Sequence, residues 1–350
     1  NYLRQASSRD SAVWQTIGNY VWPNGWIANT WQGEIDSMKW WLANRLSWMD
    51  ANMYGTTVAC NANAGLSVII DEINFHSDST IDAGDWLEIW NTGSTPVNLS
   101  NAVLLDGNTL ENYCIIPNNT ILAANDRLVI YEDSLKFNAM FPGLTNKIGP
   151  LCFKLNNGGQ TIILRDKDNK LITTVSFQDT WQCSADGNGR TLQLLTPTSI
   201  PNNAASWFAA CIGGSPGVAY TPCADKIICS EINYNSALTA DAGDWVELFN
   251  KGTSTINLGG WTLRDGSQAN VFTFPNPSLL AANQYVTLFS EAAKFNAQFP
   301  SVLNKIGPLG FNLSSSGDVL RLYDNLGKLQ YSMCYSSVSP WPSAANGGGK

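Results

Sequence analysis

The sequence predicts a mainly β chain in which two copies of one β-sandwich domain follow a short helical segment. Three observations predict this fold class. A block that begins at Asp82 returns 159 residues later, which marks an internal repeat. Short runs of β-branched, aromatic and aliphatic residues, bounded by Gly, Asn, Asp and Pro, fill both copies. The first 55 residues are rich in Trp and lack that strand pattern.

The first 55 residues contain one predicted helix, Glu34 to Met53. Five apolar positions recur at a spacing of three to four residues, which is the helical period. They are Ile35, Met38, Leu42, Leu46 and Met49. Because Trp40, Trp41 and Trp48 lie partly off this stripe, we expect the helix to pack on two sides, with its missing partner in a domain that precedes Asn1.

The repeat defines the domain boundaries. Residues 82–93 and 241–252 are identical at eight of twelve positions, and further matches follow at an offset of 158. We therefore assign residues 66–217 to the first domain and 226–350 to the second, with linkers at 56–65 and 218–225. Since the first copy closes at Gly217, we expect the second sandwich to lack about 25 residues, including a counterpart of the strand at 191–195.

Each copy is predicted to consist of short strands, a spacing typical of sandwiches. In the first copy the strands are residues 68–74, 86–91, 127–132, 161–165, 171–177 and 191–195. Apolar residues occupy both faces of 86–91, which predicts a central strand. One or two helical turns are predicted at 134–141, ended by Pro142, and at the equivalent 292–299, ended by Pro300.

Several of these segments resemble a known family. Residues 230–234, 244–250 and 257–263 resemble the opening strands of the lamin tail domain found in bacterial exported proteins, and residues 71–74, 85–91 and 98–100 match them in the first copy. Residues 186–194 and 207–217 resemble the last strands of that family. The resemblance implies immunoglobulin-like β-sandwiches that serve as accessory or tethering modules without catalysis.

The helical segment carries a second resemblance. Residues 31–50 are similar to the C-terminal helix of CotH-like proteins, which are atypical kinases related to spore coat assembly. In exported bacterial proteins lamin tail domains often follow that domain. None of the catalytic residues of that family maps onto this chain, because they would lie upstream of Asn1.

Composition limits the partners. The formal charge is −8, and only 14% of the residues are charged, so the chain lacks the basic face that general nucleic-acid binding requires. Apolar runs long enough to span a bilayer are absent from the sequence. The expected partner is a protein or glycan surface of unknown identity.

Two motifs suggest catalysis and fail on inspection. Residues 213–217 fit the G-x-S-x-G pattern of a hydrolase, but Pro216 has no N–H for an oxyanion hole, so we interpret them as the closing turn of a sandwich. His76 is the only histidine, and Asn235 replaces it in the second copy. A catalytic triad common to both domains is therefore excluded, and His76 is interpreted as a polar loop residue.

Six acidic positions are candidate Ca²⁺ ligands, because Ca²⁺ binds several carboxylate oxygens at once. They are Asp82, Asp85 and Glu88, repeated as Asp241, Asp244 and Glu247. Asp and Gly are also what a tight turn requires without any metal. We favour the structural role, and we expect no cofactor.

The eight cysteines include no C-x-x-C pair, which favours disulfides and an exported, extracellular or cell-surface location. Cys114 and Cys152 align with Phe272 and Gly310, a bulky residue and one without a side chain. Their positions are therefore expected to be neighbours on adjacent strands, and the two cysteines to form a bridge. The other expected pairs are Cys183 with Cys211 and Cys229 with Cys334, which leaves Cys60 and Cys223 in the linkers.

Two functions follow from this sequence. The first is a non-catalytic tandem module that attaches an exported bacterial protein to a surface, polymer or partner protein. The alternative is the accessory region of a CotH-like atypical kinase, positioning the substrate of an active site upstream of this chain. Because no phosphate-binding or kinase signature occurs in residues 1–350, the sequence predicts no phosphotransfer by the chain itself.

Overall fold

The computed structural model describes residue 9 and residues 12–20, 22, 25–52, 65–107, 112–339 and 341–348. The chain divides into two compact units, residues 1–60 and 61–350. Met53, the linker at 56–64 and Cys60 lie outside the described residues. No helix in the described part of the chain is long and apolar enough to cross a membrane.

The first unit contains one long helix, α1, Trp31–Asn52. It starts three residues earlier than the sequence predicts, because Thr30 caps it: the Thr30 hydroxyl accepts a hydrogen bond from the Gly33 N–H at 3.1 Å. The middle of the predicted apolar stripe is exposed, because Met38, Leu42 and Leu46 are 61%, 52% and 51% exposed. Ile35 and Met49, near its two ends, are half-buried.

The second unit contains the two domain copies. The first copy consists of β1 Val68–Asn74, β2 Trp86–Asn91, β3 Val97–Asn98, β4 Val103–Asp106, β5 Tyr113–Ile115, β6 Ile121–Leu122, β7 Arg127–Tyr131, α2 Ser134–Met140, β8 Lys147–Ile148, β9 Gln160–Arg165, β10 Leu171–Phe177, β11 Arg190–Leu194 and β12 Trp207–Ile212. Its strands form a six-stranded sheet in the order β12-β11-β1-β2-β7-β8, a four-stranded sheet β10-β9-β4-β5 and the pair β3-β6.

The second copy repeats this arrangement except at one edge. It consists of β13 Ile227–Asn233, β14 Trp245–Asn250, β15 Ile256–Asn257, β16 Thr262–Arg264, β17 Val271–Thr273, β18 Leu279–Leu280, β19 Tyr285–Phe289, α3 Ala292–Gln298, β20 Lys305–Ile306, β21 Gly317–Tyr323 and β22 Leu329–Ser336. Its sheets are β13-β14-β19-β20, β17-β16-β21-β22 and β15-β18. Its described residues contain no counterpart of β11 and β12.

Each copy has its own core between two sheets. Ile73, Leu104 and Leu164 are fully buried in the first copy, and Val246, Leu288 and Leu322 in the second. In the first copy the core residues come from the six-stranded and the four-stranded sheet. In the second copy they come from the two four-stranded sheets. The observed fold is therefore the predicted pair of β-sandwiches.

Most predicted elements are confirmed within one residue at either end. The central position of residues 86–91 is confirmed, because β2 lies between β1 and β7. The helix in each copy ends at the residue before the predicted last phenylalanine. The shortest strands, such as β3 and β6, contain two residues each and carry no pattern of their own.

Candidate functional site

The carboxylates of the acidic turns accept hydrogen bonds from backbone N–H groups and pair with lysines. One Asp82 oxygen accepts the Gly84 N–H at 2.9 Å, and the other contacts Lys136 Nζ at 2.5 Å. The Asp85 carboxylate accepts the Leu155 N–H at 2.8 Å. Burial raises the pKa of Asp85 to about 6. These contacts give Asp82 and Asp85 a structural role in a turn.

The acidic residues of the second copy make the same kinds of contact. Asp241 accepts the Gly243 N–H at 2.9 Å and pairs with Lys294 at 3.0 Å, while Asp244 accepts the Leu313 N–H at 2.7 Å. Burial raises the pKa of Asp244 to about 6 as well. Among the residues that the structure describes, no group of three or more His, Cys, Asp or Glu side chains is arranged to hold a metal ion.

Glu88 belongs to a different group, a cluster of charged side chains buried within the first copy. Asp71 and Glu88 are 2% and 1% exposed, and Arg127 Nε lies 3.2 Å from Asp71 Oδ2 and 3.0 Å from Glu88 Oε1. Asp71 Oδ1 has no donor of its own, but Glu88 lies within hydrogen-bonding reach. Burial, together with the neighbouring Asp71, raises the pKa of Glu88 well above its ordinary value.

Glu72 is the third acid of this region, and it explains the G-x-S-x-G motif. Its side chain is fully buried and accepts the Thr191 hydroxyl at 2.5 Å and both the N–H and the hydroxyl of Ser215, at 2.9 and 3.1 Å. The Gly217 N–H donates to Glu88. Ser215 therefore belongs to a closing turn that covers the acidic cluster.

The equivalent positions in the second copy look different. Ser230 and Tyr285 replace Asp71 and Arg127, so both partners of the buried ion pair are absent. The Ser230 hydroxyl donates to Glu247 Oε1 at 2.8 Å. Tyr285 stacks on Phe249 with ring centroids 4.5 Å apart, where Arg127 covers the Trp90 ring at 4.3 Å in the first copy.

Three disulfides join six of the seven described cysteines. Cys114 is joined to Cys152, the pair that the comparison of the copies predicts. Cys114 lies on β5, but Cys152 lies in the loop after β8, so the prediction that both lie on adjacent strands is wrong. The polypeptide after the parallel strand β8 turns back over β5 and brings Cys152 there.

The other two predicted pairs are wrong. Cys183 is joined to Cys334 and Cys211 to Cys223. Among the described cysteines, Cys229 has no disulfide partner, and burial raises its pKa to about 12, which disfavours the reactive thiolate. Cys229 aligns with the core residue Ile70. This alignment is the sequence signal that indicates an apolar position for Cys229.

The bridge between Cys183 and Cys334 connects the two copies, and a buried arginine reinforces the connection. Arg190 donates from Nε to the Ser332 carbonyl at 2.9 Å and from Nη1 to the Ala210 carbonyl at 2.8 Å, and it pairs with Asp225 at 3.1 Å. Burial of a charge is tolerated only with such partners. The two copies are therefore fixed to each other.

Further contacts also cross this junction. The Tyr323 hydroxyl donates to Asp78 at 3.0 Å, and the Leu329 N–H donates to the Thr80 hydroxyl at 3.1 Å. Ile81 packs with Tyr323 and Leu329 in one apolar cluster. No sequence pattern within one copy predicts these contacts, because each joins residues from different copies.

A cleft of about 420 Å³ opens at the junction. Ile212 and Trp261 provide apolar surface, and Lys226, Lys328 and Gln330 provide polar groups. Among the described residues, neither lysine forms an ion pair.

The charge of this cleft is opposite to that of the whole chain. Its one acidic lining residue, Asp225, already pairs with Arg190. The unpaired charges at the cleft are therefore positive, on a chain whose net charge is −8. An aromatic ring beside amide and ammonium groups is a chemistry that suits sugar rings and anionic groups.

His76 has a structural role. Its Nδ1 lies 2.6 Å from Asp186 Oδ1, and both side chains are about two-fifths exposed. In the second copy, the Asn235 amide donates to Asn346 at 2.6 Å. The same connection is thus made by a different pair of residues in each copy.

Comparison with known proteins gives one family match. A model of the Lamin Tail Domain matches residues 61–179 and 221–337, more than half of the chain. Strands β11 and β12 lie outside the matched residues. No curated protein matches the chain.

Similarity to solved structures is weak. A DUF4876 family protein from Bacteroides thetaiotaomicron is 10% identical, with 66% of this chain and 64% of that chain covered and a TM-score of 0.22. The exo-chitosanase CsxA of Amycolatopsis orientalis is 11% identical, with 78% and 27% covered and a TM-score of 0.18. The chain spans less than two thirds of either protein. Because the family match covers both copies, this chain belongs to the lamin tail domain family.

Proposed function

We propose that this chain is a non-catalytic attachment module of an exported bacterial protein, and that the cleft between its two lamin tail domains binds an anionic saccharide of a cell-surface polymer. The observation that carries the proposal is the pair of unpaired lysines, Lys226 and Lys328, beside Trp261 in a cleft on an acidic chain. A cleft of about 420 Å³ lies within the range of small-ligand sites.

Rigidity supports this role. The Cys183–Cys334 bridge and the buried Arg190 hold the walls of the cleft in place, and a site formed in advance loses less entropy on binding. The three disulfides also suit an oxidising, extracellular location. The side chains of the cleft include no His, Cys or Ser nucleophile paired with a base.

The resemblance of residues 31–50 to the end of a CotH-like domain suggests the setting of the module. The exposed apolar side of α1, with Met38 and Leu42, offers a surface for such a domain. In that setting the tandem domains would attach or position a kinase rather than react themselves.

Titration with an oligogalacturonate, a carboxylated saccharide, tests the proposal, with a neutral dextran oligosaccharide as the control ligand. We expect saturable binding of the anionic ligand only. Lys226→Ala combined with Lys328→Ala should weaken it at least tenfold, since two charge-assisted contacts are lost. The matched control, Lys154→Ala with Lys167→Ala, changes the net charge equally outside the cleft and should leave binding unchanged. Equal loss in both double variants, or no binding, would refute the proposal.

A further inference from the structure

Two arginines lie directly opposite each other on adjacent strands of the second copy. Arg264 on β16 is the cross-strand partner of Arg321 on β21. Their neighbours Leu263 and Leu322 belong to the core, so the two arginines lie on the other face of the sheet. Side chains at such opposed positions have Cβ atoms about 4.5–5.5 Å apart, and like charges there oppose strand pairing.

The first copy shows that the sandwich does not require these arginines. At the equivalent positions Leu105 lies opposite Ile163, and both side chains are buried. The same two strands therefore form with an apolar pair. Strands β11 and β12, which complete the first copy, belong to the other sheet, so the surface of the arginine pair is not one that a counterpart of β11 would cover.

Both arginines have buried N–H donors without acceptors. Arg321 is 5% exposed, and one of its Nη2 N–H groups donates to the Asp265 carbonyl. Its Nε is buried without a hydrogen-bond partner, and so is the Nε of the half-buried Arg264. A buried donor without an acceptor is destabilising. Two such donors on opposed residues indicate a place where an acceptor group binds.

The charge of the pair is not compensated by acids of the described chain. Neither arginine forms an ion pair there. The acids beside these strands already accept other donors: Asp265 accepts the Ser267 N–H at 2.8 Å and the Asn270 amide at 2.7 Å, and Asp318 accepts the Gly266 N–H at 3.0 Å. Because a guanidinium stays protonated in proteins, the pair presents two positive charges.

Tyr323 lies beside both guanidinium groups. The Arg264 Cζ is 4.9 Å from the centroid of its ring. Burial and Asp78, which accepts the Tyr323 hydroxyl at 3.0 Å, raise the pKa of Tyr323 to about 12, while Arg321 and Arg264 both act in the opposite direction. Both positive charges therefore lie within electrostatic reach of one side chain, which places them close enough to bind one group.

We propose that Arg264 and Arg321 form an anion site that binds a phosphoryl group, with the half-buried Arg264 at its entrance. A phosphoryl group carries about −1.5 to −2 charge at pH 7 and three acceptor oxygens, which match the two positive charges and the unused donors. Guanidinium groups bind such oxygens through paired hydrogen bonds. The site shares no residue with the cleft at the junction, so it does not rest on the proposed function.

Titration of the full chain with inorganic phosphate tests the proposal, with the NMR signals of the arginine Nε–H groups as the readout. At constant ionic strength we expect saturable shifts of the Arg264 and Arg321 signals. Acetate, which offers one charge and two oxygens, should not reproduce them. Tighter binding of glucose 6-phosphate than of inorganic phosphate would assign the site to a phosphorylated saccharide, and the reverse order would assign it to the free anion.

A double variant taken from the first copy provides the second measurement. Arg264→Leu with Arg321→Ile installs the apolar pair of the equivalent strands, and it should bind phosphate at least tenfold more weakly. Phosphate should raise the melting temperature of the unchanged chain but not that of this variant. The matched control, Lys154→Ala with Lys167→Ala, removes two positive charges elsewhere and should bind phosphate like the unchanged chain. If the arginine variant does not fold, the Nε–H shifts of the unchanged chain decide.

Three results would overturn the proposal. The first is the absence of saturable Nε–H shifts in a chain whose melting temperature shows that it is folded. The second is an equal response to acetate. The third is phosphate binding that survives in the arginine variant and is lost in Lys226→Ala with Lys328→Ala. That result would place the anion in the cleft, so this proposal would fail while the proposed function would stand.

Discussion

The two domain copies place the same acidic positions in opposite surroundings. In the first copy, β11 and the turn at 215–217 cover Glu72 and Glu88, and both are almost completely buried. In the second copy the equivalent Glu231 is exposed and Glu247 is half-buried. Within the described residues, the difference arises because β11 and the turn at 215–217 cover the acids of the first copy.

This comparison shows what burial demands of a sequence. Where the acids are covered, Arg127 is present to neutralise them, and Asp71 completes the ion pair. In the second copy Ser230 and Tyr285 occupy the positions of Asp71 and Arg127, so neither charge is present beside Glu247. Buried charges require partners, whereas exposed ones are solvated.

The largest expected effect comes from removing the buried cation. Arg127→Met should lower the free energy of unfolding by about 3–5 kcal/mol, because it leaves buried carboxylates without compensation. Tyr285→Met at the equivalent position should cost only about 1 kcal/mol, mainly the lost ring stacking. Urea unfolding monitored by tryptophan fluorescence measures both.

A rescue variant serves as the control for this prediction. Asp71→Ser combined with Arg127→Tyr transplants the pair of the second copy into the first, and it should recover part of the loss by removing one buried acid. If Arg127→Met and Tyr285→Met prove equally damaging, the contrast between the two copies is wrong.

The next effect concerns the bridge between the copies. Cys183→Ser with Cys334→Ser should lower the stability by about 2–4 kcal/mol, because the bridge closes a long loop. Cys211→Ser with Cys223→Ser opens a bridge of sequence separation 12 rather than 151, and should cost less. Thermal unfolding of both double variants under non-reducing conditions checks the order. A larger loss for the shorter loop would contradict it.

These bridges also mark the limit of the sequence-based prediction. The repeat predicts both sandwiches, because strands and turns are local patterns that recur at one offset. It also pairs Cys114 with Cys152, since complementary residues, Phe272 and Gly310, occupy the equivalent positions. The Cys183–Cys334 bridge and the Arg190–Ser332 hydrogen bond were not predictable in this way, because they join different copies.

The acidic cluster shows the same limit. The sequence places Glu72 and Glu88 on two consecutive predicted strands, but the donors that cover them, Thr191, Ser215 and Gly217, come from distant parts of the chain. Cys229 is the opposite case, since its alignment with Ile70 already indicates an apolar core position rather than a bridge.

The smallest expected effect concerns the pH dependence of stability, which distinguishes the buried Glu72 from the exposed Glu231. Burial raises the pKa of Glu72 to about 7 from 4.5. The unfolded chain therefore releases this proton at lower pH than the folded chain, and stability falls as pH rises from about 4.5 to 7. Glu72→Gln should flatten this slope by about 1–3 kcal/mol over that range, whereas Glu231→Gln should change it less. Urea unfolding at several pH values measures the slope for both variants. Equal flattening by Glu72→Gln and Glu231→Gln would contradict the prediction.

The most direct test of the central claim, that one covering strand sets the surroundings of the acids, is a carboxyl-carbon NMR titration of Glu72 and Glu231 in the same molecule. The structure predicts that Glu72 titrates at a pKa of about 7. Glu231 should titrate at a lower pKa than Glu72, although still above its ordinary value because of partial desolvation and the neighbouring charge of Glu247. Coinciding titration curves for the two residues would contradict the account.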